Sequence, residues 1–403
     1  MIRLYLMANS KINMMPFMKL SKVNDIYVDY LITQHGQSTA TGCAELIDND
    51  VKHDSFTRML SIEDYDSKFI WESNKRQIRK VEDDDGVLIL DNSVCHKAYS
   101  SLNEVICYHY DHAEGRAVRG INLLTAMVKY GDVAFPIGYE VVKKDQIGIK
   151  QDKKGQEKMY SYSRYTLNEL ARGLVAQSLK NQVKFKYILG DRWFASKENI
   201  LFFEKQRVKF ILGIADNRLA AVSLKDARAG TYTRLDKLGL NTGEARKVYL
   251  KDIPFPVVVT RKVFKDGDAM QGEIYLVTND LTLSGDCAYN IYQRRWNIET
   301  YHRSLKQNAS LTKSPTSTPK TQTNHIGLSL LAYSRLEHLK IAQNNNHYAI
   351  KRKLLIAANQ ASYKARSYAL TDGENDGHSP SIVGVNLLTK LAITLLNKSF
   401  WIA

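Results

Sequence analysis

Cysteine is scarce in this chain of 403 residues. Its four cysteines, Cys43, Cys95, Cys107 and Cys287, are far apart and form no CxxC pair. This spacing argues against a zinc knuckle and against a disulfide framework. We therefore expect reduced thiols in a cytosolic protein.

Long uninterrupted apolar segments are also missing. The first 20 residues contain three cations and lack a clean apolar region before a small-residue cleavage site, so no signal peptide is predicted. Two lysines interrupt the apolar stretch at residues 385–403. Because a membrane span needs about 20 apolar residues, this stretch predicts a packing helix and no membrane partner.

Basic residues are in excess. The formal net charge is +15, the sequence pI is about 9.4, and 44% of the residues are hydrophobic. That hydrophobic content suffices for a folded core. The positive charge predicts a polyanionic partner, with nucleic acid as the first candidate; a basic protein without such a partner is the alternative.

The first part of the chain has helical patterns. Residues 20–80 include two predicted short helices joined by a turn at 48–51. This arrangement is typical of a helix-turn-helix DNA reader, or of a plain helical subdomain. Much later, residues 308–325 are rich in Ser, Thr, Pro and Lys and predict a loop.

Two predicted strands end on an acid. An apolar run at 87–90 ends on Asp91, a hairpin follows with its turn at 131–132, and after a predicted helix the segment "VKFKYILGD" ends on Asp191. A parallel strand pair joined through a helix would place Asp91 beside Asp191. Taken singly, an Asp closing a strand is more often a turn or cap residue.

A third acid lies in a basic segment, "YQRRWNIETYHRSLKQ", at residues 292–307. Tyr292, Arg295, Glu299 and Lys306 stand at offsets of 0, 3, 7 and 14, which predicts one face of one helix. Glu299 also has Arg295 and Arg303 four residues away on either side, so a simple salt bridge is the alternative.

Three clustered carboxylates would repel one another unless a cation lay among them. Oxygen ligands without Cys or His suit Mg²⁺ or Mn²⁺. Two such ions about 4 Å apart can activate a water or a 3′-hydroxyl and stabilise the leaving oxygen of a phosphodiester.

The spacing Y-x2-R-x3-E-x6-K resembles the signature of one large group of bacterial insertion-sequence DDE transposases. The segments "LILD", "YILGDRWFAS" and "YLVTND" are also similar to blocks of that group. The resemblance covers roughly residues 85–310. It implies an α/β fold, a ribonuclease-H-like mixed sheet flanked by helices, with a β-rich insertion between the second Asp and the Glu.

The resemblance also implies a function. Asp91, Asp191 and Glu299 would be catalytic and would hold two Mg²⁺ ions, with Mn²⁺ able to substitute. The enzyme would cut DNA at the ends of its element and join the freed 3′-OH to target DNA. Its partners would be the terminal inverted repeats and target DNA, bound by a homodimer in the cytoplasm at the nucleoid.

Five regions are predicted along the chain. They are a helical, DNA-binding N-terminal region (1–82), a first part of the core (83–215), a β-rich insertion (216–281), the second part of the core with the catalytic Glu (282–345) and a helical C-terminal region (346–403).

Further residues are expected near the DNA. Tyr292, Arg295, Arg303 and Lys306 would contact the terminal strand, and Trp193 would hold a base. The alternatives are a core-facing Tyr292 and a Trp193 buried beneath the active site.

Some residues leave alternatives open. Asn92 and Ser93 follow Asp91, where the family often has Asp-Asp or Asp-Ser/Thr-Thr. Asp111 is a weaker alternative to Asp91, because no apolar strand run leads into it. His109 and His112 could lie near the site. The competing functions are a nuclease of the same fold that hydrolyses without joining, and a decayed transposase acting as a DNA-binding protein.

Overall fold

The computed structural model describes residues 20–111, 114–151, 155–266 and 269–376. Four helices come first: α1 Lys22–Thr33, α2 Ala40–Glu45, α3 His53–Ile62 and α4 Ser67–Val81. Ser21, Thr39 and Asp66 cap three of them by accepting a first-turn backbone N–H. Asp48 and Asn49 adopt positive φ between α2 and α3. The two short helices joined by a turn are therefore present, and their DNA-reading role stays a prediction.

Most strands of the described chain belong to one mixed sheet of eleven strands. In chain order these are β1 Val87–His96, β2 Cys107–Asp111, β3 Arg116–Tyr130, β4 Val133–Val141, β7 Tyr187–Gly190, β8 Lys209–Ile214, β9 Leu219–Ala221, β10 Thr233–Arg234, β11 Ala245–Leu250, β12 Val257–Asp266 and β13 Ala269–Thr278. The remaining pair, β5 Gln146–Gln151 and β6 Glu157–Tyr162, forms a separate antiparallel hairpin.

The centre of the sheet has the order β4-β3-β1-β7-β8. β3 is antiparallel to β1 and β4, whereas β7 is parallel to both β1 and β8. Parallel neighbours need crossover connections. Helix α5 (Leu167–Lys180) precedes β7, and helix α6 (Lys197–Lys205) connects β7 to β8. The predicted ribonuclease-H-like mixed sheet flanked by helices is confirmed.

The segment between Asp191 and Glu299 contains β9 to β13 and the short helix α7 (Leu224–Arg228), and its strands continue the central sheet. β13 pairs antiparallel with both β8 and β12. The strands expected in this segment are thus present, and they share a sheet with the core. The division of the chain into five regions stays a prediction.

Helices cover both faces of the sheet. The side chains of strand β1 show which residues point to each face. Val87 and Ile89 belong to one buried cluster with residues of α1 and of α10 (Pro319–Gln343), whereas Leu88 and Leu90 belong to another with residues of α5 and α6. Successive side chains of a strand point to opposite faces. Asp91 therefore points to the same face as Ile89.

The later helices lie on the Ile89 side. They are α8 Gly285–Gln293, α9 Asn297–Asn308, α10 Pro319–Gln343 and α11 His347–Asp376. Arg335 of α10 is buried and pairs with Asp25 and Asp29 of α1, which fixes the N-terminal helices against the core. No helix of the described residues is both long and apolar enough to cross a membrane. The stretch at 385–403 lies outside the described residues.

Two boundaries differ from prediction. Strand β1 does not end at Asp91, because its pairing with β3 continues to His96, opposite Gly120. Only the parallel neighbour β7 stops here, at Gly190 opposite Leu90. The predicted loop at 308–325 is shorter than expected, since Thr318 caps α10 and Pro319 occupies its first turn, where a missing N–H costs nothing.

Candidate active site

Asp91 and Asp191 lie on neighbouring strands. The last paired residues of β1 and β7 are Leu90 and Gly190, so the two aspartates follow at the same level. Asp191 caps a short 3₁₀ helix, and its Oδ1 accepts the N–H of Trp193 at 2.9 Å. Burial raises the pKa of Asp191, and the nearby charge of Asp91 raises it further. The predicted proximity of the two strand acids is confirmed.

Arg295 links Asp91 to Glu299. Its Nη1 lies 3.9 Å from Asp91 Oδ1, and its Nη2 lies 3.6 Å from Glu299 Oε1. Burial by itself lowers the pKa of Arg295. The phenol of Tyr292 and the neighbouring carboxylates outweigh this effect, so the pKa lies above its usual value. The Arg295 side chain is 14% exposed and that of Glu299 is 46% exposed. Glu299 is thus the acid that a ligand from solvent reaches most easily.

The helix that carries Glu299 is not continuous, contrary to prediction. Helix α8 ends at Gln293, residues Arg294–Trp296 form a 3₁₀ turn, and α9 begins at Asn297. The side chain of Asn297 donates to the carbonyl of Arg294 at 2.9 Å, a local bond that competes with the regular helix.

Tyr292 lies in the core and is 3% exposed. The guanidinium of Arg295 lies 5.6 Å from the centre of its ring. Gly213 of β8 leaves room for the hydroxyl, since a Cβ there would come within 3.2 Å of it. This burial favours the core-facing alternative, in which the buried ring of Tyr292 packs against Arg295.

His302 is a site residue that the sequence analysis missed. Its Nε2 lies 3.3 Å from Asp91 Oδ2, and its side chain is 9% exposed. Both ring nitrogens, and the Nε of Arg295, form no hydrogen bond within the described chain. His302 is three positions after Glu299, so helical spacing could have revealed it.

The other predicted DNA contacts lie at the border of the site. Arg303 is exposed and Lys306 is half-buried. Burial raises the pKa of Cys95 on β1 to about 11, and the charge of Lys306 partly offsets this rise, so Lys306 lies close to β1. Trp193 is 53% exposed, so its predicted alternative, burial beneath the active site, is wrong.

Asp111 does not replace Asp91. It pairs with His96 at 2.9 Å, and with Glu114 these residues bring three possible metal-ligand atoms within 4.8 Å of one another. His96 lies five residues beyond Asp91, roughly 16 Å along β1. Arg116 also pairs with Glu114 at 2.5 Å, so these residues form an ion-pair cluster.

The neighbouring histidines give no support for an active-site role. His109 is buried against Cys107, with Nε2 and Sγ 3.1 Å apart. Burial lowers its pKa to about 4. His112 lies outside the described residues.

Comparison with known protein families shows which family the chain belongs to. Residues 20–234 match the family model described as DDE superfamily endonuclease, and residues 162–335 match the one described as Transposase DDE domain. The chain belongs to the DDE superfamily. A comparison with individual curated proteins found no match.

Membership in the DDE superfamily makes this chain a transposase-type nuclease with DNA as its substrate. Enzymes of the superfamily use divalent metal ions. Asp91, Asp191 and Glu299 fit such an ion in donor type, because they offer carboxylate oxygens around one shared cationic group, Arg295. Among the described residues, however, only His96, Asp111 and Glu114 bring three ligand atoms within 4.8 Å of one another.

Proposed function

We propose that the protein cuts DNA at the ends of an insertion element and transfers the freed 3′-OH into target DNA. One observation carries the proposal: two strand aspartates lie at the same level, and one buried arginine joins the first of them to a helix glutamate. Asp91, Asp191 and Glu299 would hold two Mg²⁺ ions, or Mn²⁺ in their place. When bound, these ions supply activation of the attacking oxygen and stabilisation of the leaving oxygen.

The other site residues would position the acids and the DNA. Arg295 offers two fixed donors that suit a phosphate as well as a carboxylate, so it can move from Asp91 and Glu299 to the DNA backbone. His302, at 3.3 Å, would keep the Asp91 carboxylate oriented. Arg303 and Lys306 would contact phosphates beyond the reacting bond, and the exposed ring of Trp193 would hold a base.

The same proposal includes the predicted partners. The terminal inverted repeats of the element would be bound by a homodimer, with α3 as the DNA-reading helix of the N-terminal region. Its exposed side chains include His53, Thr57 and Arg58, whereas Phe56, Met59 and Leu60 are buried. This is the amphipathic pattern that a recognition helix requires.

Asn92, which departs from the family pattern, does not disturb the acids. Its side-chain amide donates to the side-chain Oδ1 of Asn122, on β3, at 3.2 Å. Side-chain alternation along β1 places Asn92 on the opposite face from Asp91. The active enzyme is therefore favoured over a decayed copy.

A cleavage and joining assay tests the proposal. A labelled duplex carrying the DNA that borders the gene would be incubated with protein and Mg²⁺ or Mn²⁺. We expect metal-dependent cuts at the element end and joined products. Glu299→Gln should bind this duplex but not cut it, whereas Glu198→Gln, an exposed glutamate in the first turn of α6, should cut normally.

The outcomes separate the competing functions. Cuts without joined products would identify a hydrolytic nuclease. Binding without cuts by the wild type in either metal would identify a non-enzymatic DNA-binding protein. A fully active Glu299→Gln variant would refute the assigned site.

A further inference from the structure

The hairpin β5–β6 has a surface that the active site does not explain. Its two strands pair over their full length, from Gln146 opposite Tyr162 to Gln151 opposite Glu157, and they form a sheet separate from the central one. Ile147, Ile149 and Met159 are 64 to 69% exposed. A two-stranded hairpin is marginally stable alone, so such an exposed arm suggests a binding partner.

The two faces of this arm differ in chemistry. Cross-strand partners share a face. One face carries Ile147, Ile149 and Met159 together with the acid Glu157. The opposite face has aromatic and basic residues and no acid; its residues are Gln146, Gly148, Lys150, Lys158, Tyr160 and Tyr162. We name this second face the Tyr–Lys face.

The side chains of the Tyr–Lys face are already ordered. The ring of Tyr160 lies over Gly148, where a Cβ would come within 2.9 Å of it. The Tyr160 and Tyr162 ring centres are 5.7 Å apart, and Lys150 Nζ lies 5.2 Å from the Tyr160 ring centre. Both rings remain at least 40% exposed. Preformed rings beside cations suit a ligand that has both aromatic surface and negative charge.

Charge complementarity selects the ligand. Residues 143–164 contain seven Lys and Arg against three Asp and Glu, a net charge of +4 in 22 residues. Nucleic acid has stacked bases and a phosphate backbone, and it matches both properties of the Tyr–Lys face.

Strand pairing fixes where the arm leaves the sheet relative to Asp91. Thr125 of β3 pairs with Asp91 on one side and with Tyr139 of β4 on the other. β4 runs parallel to β1 and ends at Val141, two residues beyond this level. The arm therefore leaves the sheet in the direction in which β1 runs past Asp91, two strands or roughly 10 Å to the side, and the arm itself is roughly 20 Å long. Lys144 fixes the base of the arm by donating to the Tyr108 carbonyl at 2.6 Å. Tyr108 pairs with Arg119, one residue past the partner of His96, so the base lies roughly 16 Å or more from Asp91 along the strand direction.

We infer that the β5–β6 arm is a DNA-binding element that holds DNA outside the active site, on the side toward which β1 runs past Asp91, through its Tyr–Lys face. The inference rests on the proposed function, because it assigns a further DNA contact to the same enzyme. Phosphates would pair with Lys150 and Lys158, and a base or sugar would stack on Tyr160 or Tyr162.

Binding measurements on the full chain test this inference. The probes are fluorescein-labelled duplex and single-stranded DNA with the sequence that borders the gene, studied by anisotropy over a salt series. Lys150→Gln with Lys158→Gln should make the slope of log K against log salt less steep by about two. Tyr160→Ser with Tyr162→Ser should weaken binding about tenfold, most clearly for the single strand.

The apolar face supplies the matched control. Ile147→Thr with Ile149→Thr changes equally exposed residues on the same arm and should leave DNA affinity unchanged. Because the lysine variant keeps both rings in place, it remains informative even if Tyr160→Ser loosens the hairpin.

Each contrary outcome has a distinct meaning. Unchanged affinity and salt slope in both Tyr–Lys variants of an enzyme that still cuts DNA would overturn the arm inference alone. Equal losses from the apolar control would overturn it as well. A control variant that changes from dimer to monomer, while the Tyr–Lys variants bind normally, would make the arm a self-association element. A wild type that neither binds nor cuts would overturn the proposed function too.

Discussion

Replacing Arg295 by Gln should destabilise the metal-free protein, and Mg²⁺ should reverse the loss. Arg295 is buried between Asp91 and Glu299, at 3.9 and 3.6 Å, and also lies near Asp191. Its removal leaves neighbouring carboxylates without their shared cation. A divalent ion held by the same oxygens replaces that charge.

The magnitude follows from these distances. At an effective dielectric constant of about 20, each charge pair near 4 Å is worth about 4 kcal/mol before desolvation. The half-exposed Glu299 is screened, and neither contact is a close bidentate pair, so we expect a net loss of about 2 kcal/mol in the free energy of unfolding. For a chain of this length that corresponds to a Tm lower by about 3 °C.

Thermal unfolding with and without Mg²⁺ measures the effect. At a concentration of about 100 times Kd, a bound ion contributes about 2.7 kcal/mol, which is enough to offset the loss. The Tm of Arg295→Gln should rise more with Mg²⁺ than that of the wild type, because the guanidinium no longer competes for the same oxygens.

Arg294 provides the control. It pairs with Asp85 at 3.0 Å, and the Asp85 side chain is 72% exposed. Arg294→Gln should change the Tm little, in either buffer. The reasoning is refuted if the metal-free Tm of Arg295→Gln equals that of the wild type, or if Mg²⁺ raises both Tm values equally.

Three other predictions concern binding, pH and packing. Lys306→Ala should weaken binding of end DNA and make its salt slope less steep by about one; an unchanged slope would remove Lys306 from the DNA face. Burial lowers the pKa of His325 to about 4 from 6.5. Between these pH values the unfolded chain binds a proton that the folded chain does not, so up to about 3 kcal/mol of stability is lost as the pH falls. His325→Gln should flatten this dependence in urea unfolding, and an identical slope would contradict it. Gly213→Ala would place a Cβ 2.9 Å from the backbone nitrogen of Arg192, next to Asp191. We expect it to cost about 1–3 kcal/mol and to reduce cleavage, with chemical denaturation and the cleavage assay as measurements; wild-type values in both would show that the site relaxes freely.

The sequence by itself determined which strands carry the candidate acids. The apolar run before Asp91, and the strand–helix–strand order before Asp191, sufficed to place the two acids on adjacent parallel strands. This worked because crossover connections restrict how a strand, a helix and a strand can pack. The spacing around Glu299 marked the third acid, and family resemblance supplied its expected role.

Other features of the site were decided only in three dimensions. The burial of Tyr292 depends on what α8 packs against, and the approach of His302 to Asp91 depends on which face of α9 packs on β1. Local periodicity shows that residues share a face, but not what that face meets. The length of β1 was missed for the same reason, since its residues after Asp91 are held by pairing with β3 and not by their own apolar pattern.

Arg295 shows the difference most clearly. Its sequence position predicted a cation beside Glu299, at helical spacing. Only the tertiary structure brings the same guanidinium to Asp91, more than 200 residues earlier in the chain, because strand pairing and helix packing together fix that distance.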